Sequence, residues 1–308
     1  MGMRKQRKPR GRPVNGVLLL DKPLGDSSNA ALQHVKRIYG AAKAGHTGSL
    51  DPLATGLLPI CFGEATKLCA FLLDADKSYV VEGFWGEKTS SGDAEGEVIQ
   101  RCNSALHSEQ IQACLPKFRG RISQVPPMHS AVRHEGKRLY ELAREGIEVE
   151  RKAREIRIDE LELMQIEGQR FVLSVACSKG TYIRTLVEDI AEAAGGVAHV
   201  TALRRTRVGG FTADRMVSAG QLEQAAERGR EVLDALLMPM TEVFQKWPQV
   251  KVDSSRAFYL SRGQAVRVSD APRHGMVAVN GSDGEFLGIA VIDDDGMVQP
   301  KRWINPAN

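Results

Sequence analysis

Apolar positions along the chain recur with both the helical and the strand period, in short blocks. Residues 16–20 form a continuous apolar run that predicts a buried strand, and Asp21-Lys22-Pro23-Leu24-Gly25 ends it as a turn. Leu32, Val35 and Tyr39 then share one face of a helix that Ser27 or Ser28 would cap and Gly40 would stop. Residues 78–85 alternate, with Tyr79, Val81 and Gly83 on one face and Val80, Glu82 and Phe84 on the other. A turn is expected at 92–96. The clearest strand is 171–177, where Phe171, Leu173, Val175 and Cys177 lie on one side. After the turn Ser178-Lys179-Gly180-Thr181, helical spacing links Ile183, Leu186, Val187, Ile190, Ala191 and Ala194 up to Gly195-Gly196. Thr181 is the expected N-cap. Arg184 would then sit in the first helical turn, off the apolar stripe and close to the strand end.

The pattern changes near Trp247-Pro248. Short β-like pieces at 264–268, 276–279 and 286–291, separated by glycine turns, predict a small β-barrel-like module over 249–308. Upstream, strands and helices mix without a regular βαβ rhythm. That favours a mixed α+β sheet over a doubly wound parallel one for residues 14–248.

Charge adds a third segment. Arg4, Lys5, Arg7, Lys8, Arg10 and Arg12 place six positive charges in residues 1–13, with no acid. Removing these six from the 42 basic residues leaves 36 against 38 acidic ones, so the tail is the basic element of a nearly neutral body. It is expected to be disordered and free to lie along a phosphate backbone. A second basic stretch, 117–157, carries eleven Lys/Arg against six Glu. Five cysteines without a C-x-x-C pair fit reduced thiols and a cytoplasmic location rather than a disulfide frame or zinc site. No apolar run is long enough to span a membrane.

The chemistry concentrates in Gly45-His46-Thr47-Gly48-Ser49-Leu50-Asp51-Pro52-Leu53-Ala54-Thr55-Gly56-Leu57-Leu58. Pro52 biases Asp51 away from helix, and the flanking glycines admit backbone angles that other residues avoid. Such a segment suits a tight loop presenting Asp51. An Asp before Pro is by default a turn residue; the length of the pattern is what sets this one apart. Phosphate-binding glycine loops, the G-x-S-x-G elbow and metal-ligand spacings are all missing from the sequence. Asp51 remains, with Arg184 as candidate partner and Tyr79 as a candidate stacking surface.

At these residues the chain resembles the bacterial tRNA pseudouridine-55 synthases of the TruB type. The matching segments follow in order: Gly16-Val17-Leu18-Leu19-Leu20-Asp21-Lys22-Pro23, then 45–58, Lys77-Ser78-Tyr79, 178–186, and Leu203-Arg204-Arg205-Thr206. Two positions depart from the family pattern: Thr89-Ser90-Ser91-Gly92 carries no acid although Asp93 follows, and His129 stands where an aromatic residue is common. The resemblance implies the pseudouridine synthase fold, a largely antiparallel central sheet flanked by helices, closed by a PUA-like C-terminal RNA-binding domain. It implies Asp51, Tyr79 and Arg184 as the catalytic set, and His46, Lys22, Leu203, Gly45, Gly48 and Asp93 as substrate- or RNA-binding. The implied substrate is a uridine in the T-loop of tRNA, flipped into the pocket and attacked by Asp51 at either the uracil ring or the ribose anomeric carbon. The isomerisation needs no cofactor, no metal and no obligate protein partner. An RNA-folding factor with dispensable chemistry, or a synthase acting on another RNA, are the alternatives.

Overall fold

The computed structural model describes residues 11–304; the charges at positions 4–10 lie outside them. Arg12, counted with the basic tail, is anchored: its guanidinium pairs with Asp234 through both Nη atoms, and its Nε donates to the Tyr39 carbonyl.

A ten-stranded sheet forms the larger part of the molecule. Its spine runs, in spatial order, Val217–Ser218, Gly16–Lys22, Ala54–Phe62, Ala198–Val208, Lys77–Trp85, Arg170–Cys177, Arg154–Glu167 and Gly120–Gln124. Two pairings on it are parallel, Gly16–Lys22 with Val217–Ser218 and Ala54–Phe62 with Ala198–Val208. The rest are antiparallel, so the sheet is mixed and largely antiparallel, as expected. Helices Ser28–Ile38 and Ile183–Ala193 bury Leu32, Val35, Leu186, Val187 and Ile190 in the core shared with Leu18, Leu20, Val81, Leu173 and Val200.

Ser27 caps the first helix, accepting from the Ala30 amide at 3.1 Å. Ser28 has a different task. Its Oγ accepts from the Leu50 amide at 2.7 Å and donates to the Leu50 carbonyl at 3.1 Å, pinning the residue before Asp51. Thr181 does not cap the second helix; its hydroxyl donates to Ser178 O within the preceding turn. The helix starts one residue later, with Tyr182 as N-cap. Gln124 brackets that residue, accepting from the Tyr182 amide at 2.9 Å and donating to its carbonyl at 3.1 Å.

The loop expected over 45–58 is shorter than its glycines suggest. Gly45 belongs to the strand Ala44–His46 and Gly56 to Ala54–Phe62, so the irregular part is 47–53. Gly56 is in a strand for a steric reason: at φ +95°, a Cβ there would lie 2.3 Å from the Arg205 carbonyl of the parallel neighbour.

A second, five-stranded sheet spans Gln249–Val252 to Met297–Trp303. It docks on the larger part through Phe244, which stacks on Phe286 at 5.6 Å, and through Lys67, whose Nζ donates to the Trp303 carbonyl. Among the described residues no helix is long and apolar enough to cross a membrane.

Candidate active site

Four neighbouring segments converge on one cavity of about 300 Å³. The 47–53 loop contributes Gly48 to Asp51, the Lys77–Trp85 strand Lys77 and Tyr79, the start of the second helix Tyr182 to Arg184, and the Ala198–Val208 strand Leu203 and Arg205. His129, Ser130 and Ala131, from the basic 117–157 stretch, also line it. The volume is at the lower end for ligand pockets and suits one nucleoside.

Asp51 is held by its backbone and aimed by its charge. Lys22 is fully buried, and its ammonium donates to the carbonyls of Pro23 and Asp26 at 2.7 and 2.6 Å and reaches Pro52 O at 3.4 Å. It therefore fastens the turn after the first strand to the residue following Asp51 without entering the cavity. Burial pushes the Lys22 amine below its ordinary value, with Asp26 and Asp51 opposing the shift. Gly25 N also donates to Pro52 O, and Ala54 N to Asp51 O.

The Asp51 carboxylate, 45% exposed, meets Arg184 Nε at 3.0 Å through Oδ2. Arg184 is itself only 6% exposed, and its other nitrogens are all engaged. Nη1 donates to Ser91 O at 2.6 Å and lies 3.5 Å from Asp93 Oδ2; Nη2 donates to His129 O at 2.7 Å. A planar guanidinium with three fixed partners can turn only one edge to Asp51, which sets the carboxylate's direction at the cavity mouth. Asp93, expected among the RNA-contacting positions, does not reach the surface. At 3% exposure it lies behind Arg184, its Oδ1 accepting from the Ser91 hydroxyl and the Glu95 amide. The turn at 89–96 folds inward and carries the carboxylate with it.

Tyr79 is a buried strand aromatic on the cavity wall, opposite Arg205 across the antiparallel ladder. Burial raises the phenol above its ordinary value, and the adjacent Arg205 guanidinium works against that rise. Leu203 supplies an apolar surface beside them. Lys77 also lines the cavity; its ammonium donates to Leu73 O and Ala75 O, and burial with the nearby Arg205 charge pulls it down to about 8.

His46 and Gly45 stand apart from the cavity, on the Ala44–His46 strand that leads into the loop. His46 is half-buried, its Nδ1 has no hydrogen-bond partner, and burial followed by Arg205 lowers its pKa. Gly48, at φ +93°, faces Arg205 and lines the cavity. The fully buried Arg205, given no role by the sequence, and the Gln124 bracket are additions from the structure. The Leu203-Arg204-Arg205-Thr206 segment pointed to the first; nothing in the local sequence marked the second. Among the described residues no group of three or more His, Cys, Asp or Glu is placed to hold a metal ion, and the five cysteines are free.

Comparison with known proteins covers most of the chain. Three family models fit in succession: the TruB family pseudouridylate synthase N-terminal domain at residues 36–183, the tRNA pseudouridylate synthase B C-terminal domain at 184–245, and the pseudouridine synthase II TruB C-terminal domain at 248–304. A tRNA pseudouridine synthase B from Pseudomonas putida is 54% identical over 95% of this chain and 96% of its own. One from Nitrosococcus oceani is 51% identical over 98% of both. Among solved structures, a Cbf5-Nop10-Gar1 complex contains a chain 26% identical, covering 89% of this chain and 77% of that one with a TM-score of 0.70. The archaeal box H/ACA sRNP Nop10-Cbf5 complex, 22% identical, shares the fold over 99% of this chain and 94% of that one with a TM-score of 0.73. With near-complete coverage at about half identity, the chain belongs to the TruB family of pseudouridine synthases.

Proposed function

We propose that this protein isomerises a uridine in the T-loop of tRNA to pseudouridine, with Asp51 as the covalent catalyst. The observation that carries the reading is the Asp51 carboxylate, fixed by Arg184 at 3.0 Å over a nucleoside-sized cavity. The target uridine leaves its stack and enters the cavity. Tyr79 and Leu203 sandwich the base. Asp51 attacks, the N1–C1′ bond breaks, the uracil turns, a bond forms from C5 to C1′, and the bond to Asp51 breaks to return the free carboxylate. C5 then loses its proton and N1 gains one, so the product is an isomer of the substrate.

The basic 117–157 stretch contributes His129, Ser130 and Ala131 to the cavity lining, and its exposed Arg133, Lys137 and Arg138 are suited to backbone phosphates. His46, outside the cavity on the strand that leads to Asp51, contacts the loop from which the base has departed. Lys22 acts on the protein rather than the RNA, by holding the turn beside Pro52.

The test is Asp51→Asn, which keeps the shape of the loop and removes the nucleophile. Pseudouridine formation on tRNA should fall by roughly 10³-fold or more, while tRNA binding persists. Full turnover in a clean preparation of Asp51→Asn would refute the assignment. Modification of another RNA with tRNA untouched would overturn the substrate.

A further inference from the structure

Arg205 is 1% exposed, yet it makes no ion pair among the described residues. Its Nε donates to Leu57 O at 2.7 Å and its Nη2 to Gly48 O at 3.2 Å, both uncharged acceptors. Buried charges are ordinarily matched by a carboxylate, because an unmatched one carries a large desolvation cost. Neighbouring Arg204 follows that rule and pairs with Asp21 at 2.8 Å. Asp51 is no substitute, since its partner is Arg184. Among the described residues, the ionisable oxygen set against Arg205 is the Tyr79 phenol, on the residue directly opposite it in the ladder.

We propose that Arg205 is a positioning residue for Tyr79: one edge of its guanidinium clamps the Gly48 loop, and the other steadies the Tyr79 oxygen as the acceptor of the C5 proton. The inference rests on the reading of the cavity as a uridine site. In the last step the C5–H bond breaks and its proton passes to the Tyr79 oxygen, whose own proton leaves for solvent. The electron pair left behind forms the C5–C6 double bond, and the C6–N1 pair gathers on N1, which takes a proton from water. Tyr79 ends as the neutral phenol, so the step is a tautomerisation with nothing oxidised or reduced. The positive charge of Arg205 favours the negative charge that gathers on the Tyr79 oxygen as its proton leaves. Its bond to Gly48 O couples the same guanidinium to the loop that ends in Asp51, so nucleophile and proton acceptor share one brace.

The experiment is single-turnover conversion of tRNA carrying [5-²H]uridine or ordinary uridine by wild type, Arg205→Met, Tyr79→Phe and the double variant. Arg205→Met should be slowed about 10²-fold. Its rate should depend on deuterium more strongly than wild type, because proton removal has become the slow step. The double variant should show the same isotope effect as Tyr79→Phe alone, since Arg205 acts on proton removal through that oxygen, and only the slackened Gly48 loop adds to its rate loss. An unchanged isotope effect in Arg205→Met, or a larger one in the double variant than in Tyr79→Phe, would overturn the proposal and leave Arg205 a purely structural brace. If Arg205→Met lacks a cooperative thermal transition, Arg205→Gln keeps a polar head without the charge and gives the same comparison. Failure of the uridine-site reading looks different: wild type itself would form no pseudouridine on tRNA.

Discussion

Replacing Arg184 with Met removes a guanidinium that serves two carboxylates and two carbonyls at once. Asp51 is 45% exposed, so it regains water and loses mainly its direction. Asp93 is different. Its side chain is 5% exposed, and Arg184 is its only cationic partner within 4 Å among the described residues. Breaking a buried pair from one side costs about 3–5 kcal/mol. The 3.5 Å separation and the two hydrogen bonds that Asp93 Oδ1 keeps, from Ser91 and Glu95, place this case near the lower end. A loss of about 3 kcal/mol corresponds to a fall in Tm of roughly 5 °C for a chain of this length. Adding Asp93→Asn to Arg184→Met removes the stranded charge and should recover about half of the lost stability while pseudouridine formation stays abolished. Calorimetric melting of the wild type, both single variants and the double variant makes the cycle. If the double variant is less stable than Arg184→Met by the full cost of Asp93→Asn alone, the two side chains do not interact and the reasoning fails.

Three further outcomes can be checked. Lys77 titrates at about 8 when folded against an ordinary value of 10.5, so the unfolded chain binds more protons between those limits and stability must rise with pH there. Compared with Lys77→Met, wild type should gain roughly 2 kcal/mol between pH 7 and 9.5 in urea unfolding, and a constant difference would refute the shift. Gly56→Ala puts a Cβ 2.3 Å from the Arg205 carbonyl at a positive φ, so it should cost about 3 kcal/mol or more and lower activity by displacing Arg205; a wild-type melting curve would contradict this. Deleting residues 1–10 should flatten the dependence of log Kd for tRNA on log salt by about 0.7–0.9 for each phosphate those residues neutralise, and an unchanged slope would mean that they neutralise none.

How legible the chain was depends on where each signal resided. Local signals read well: the apolar run at 16–20, the alternation at 78–85 and the helical stripe from Ile183 all became the elements they predicted. The long strand Arg154–Glu167 was hidden inside a charged stretch because its buried side chains, Ile156, Ile158 and Leu161, are separated by exposed charges and interrupted by a bulge. Met297–Trp303 was masked by Pro300, which a strand tolerates here because it sits at a register shift against Ala290. Glycines misled at 45–58 for the opposite reason. Gly56 marks close approach of two backbones, and proximity between residues 56 and 205 has no local signature.

The site divides along the same line. Asp51 stood out because its own neighbours are unusual, and Arg184 could be placed because a strand, a turn and a helix fixed its position. What the local sequence could not carry is the second layer: Lys22 reaching Pro52, Ser28 holding Leu50, Gln124 bracketing Tyr182, Asp93 behind Arg184. Each joins residues 22 to 91 positions apart in the chain. These contacts share a physical logic. Asp51 sits on an irregular loop, and its exposed carboxylate has little packing of its own to fix its direction. Rigidity must come from backbone carbonyls and amides tied to buried polar side chains, each of which needs that partner to offset its own desolvation. The buried polar residues Lys22, Ser28, Asp93, Gln124, Arg184 and Arg205 therefore stabilise the fold only when the loops they hold are in place. Fold stability and catalytic geometry are set by the same bonds, and substitutions that spare Asp51 but remove one of these ties should lower both together.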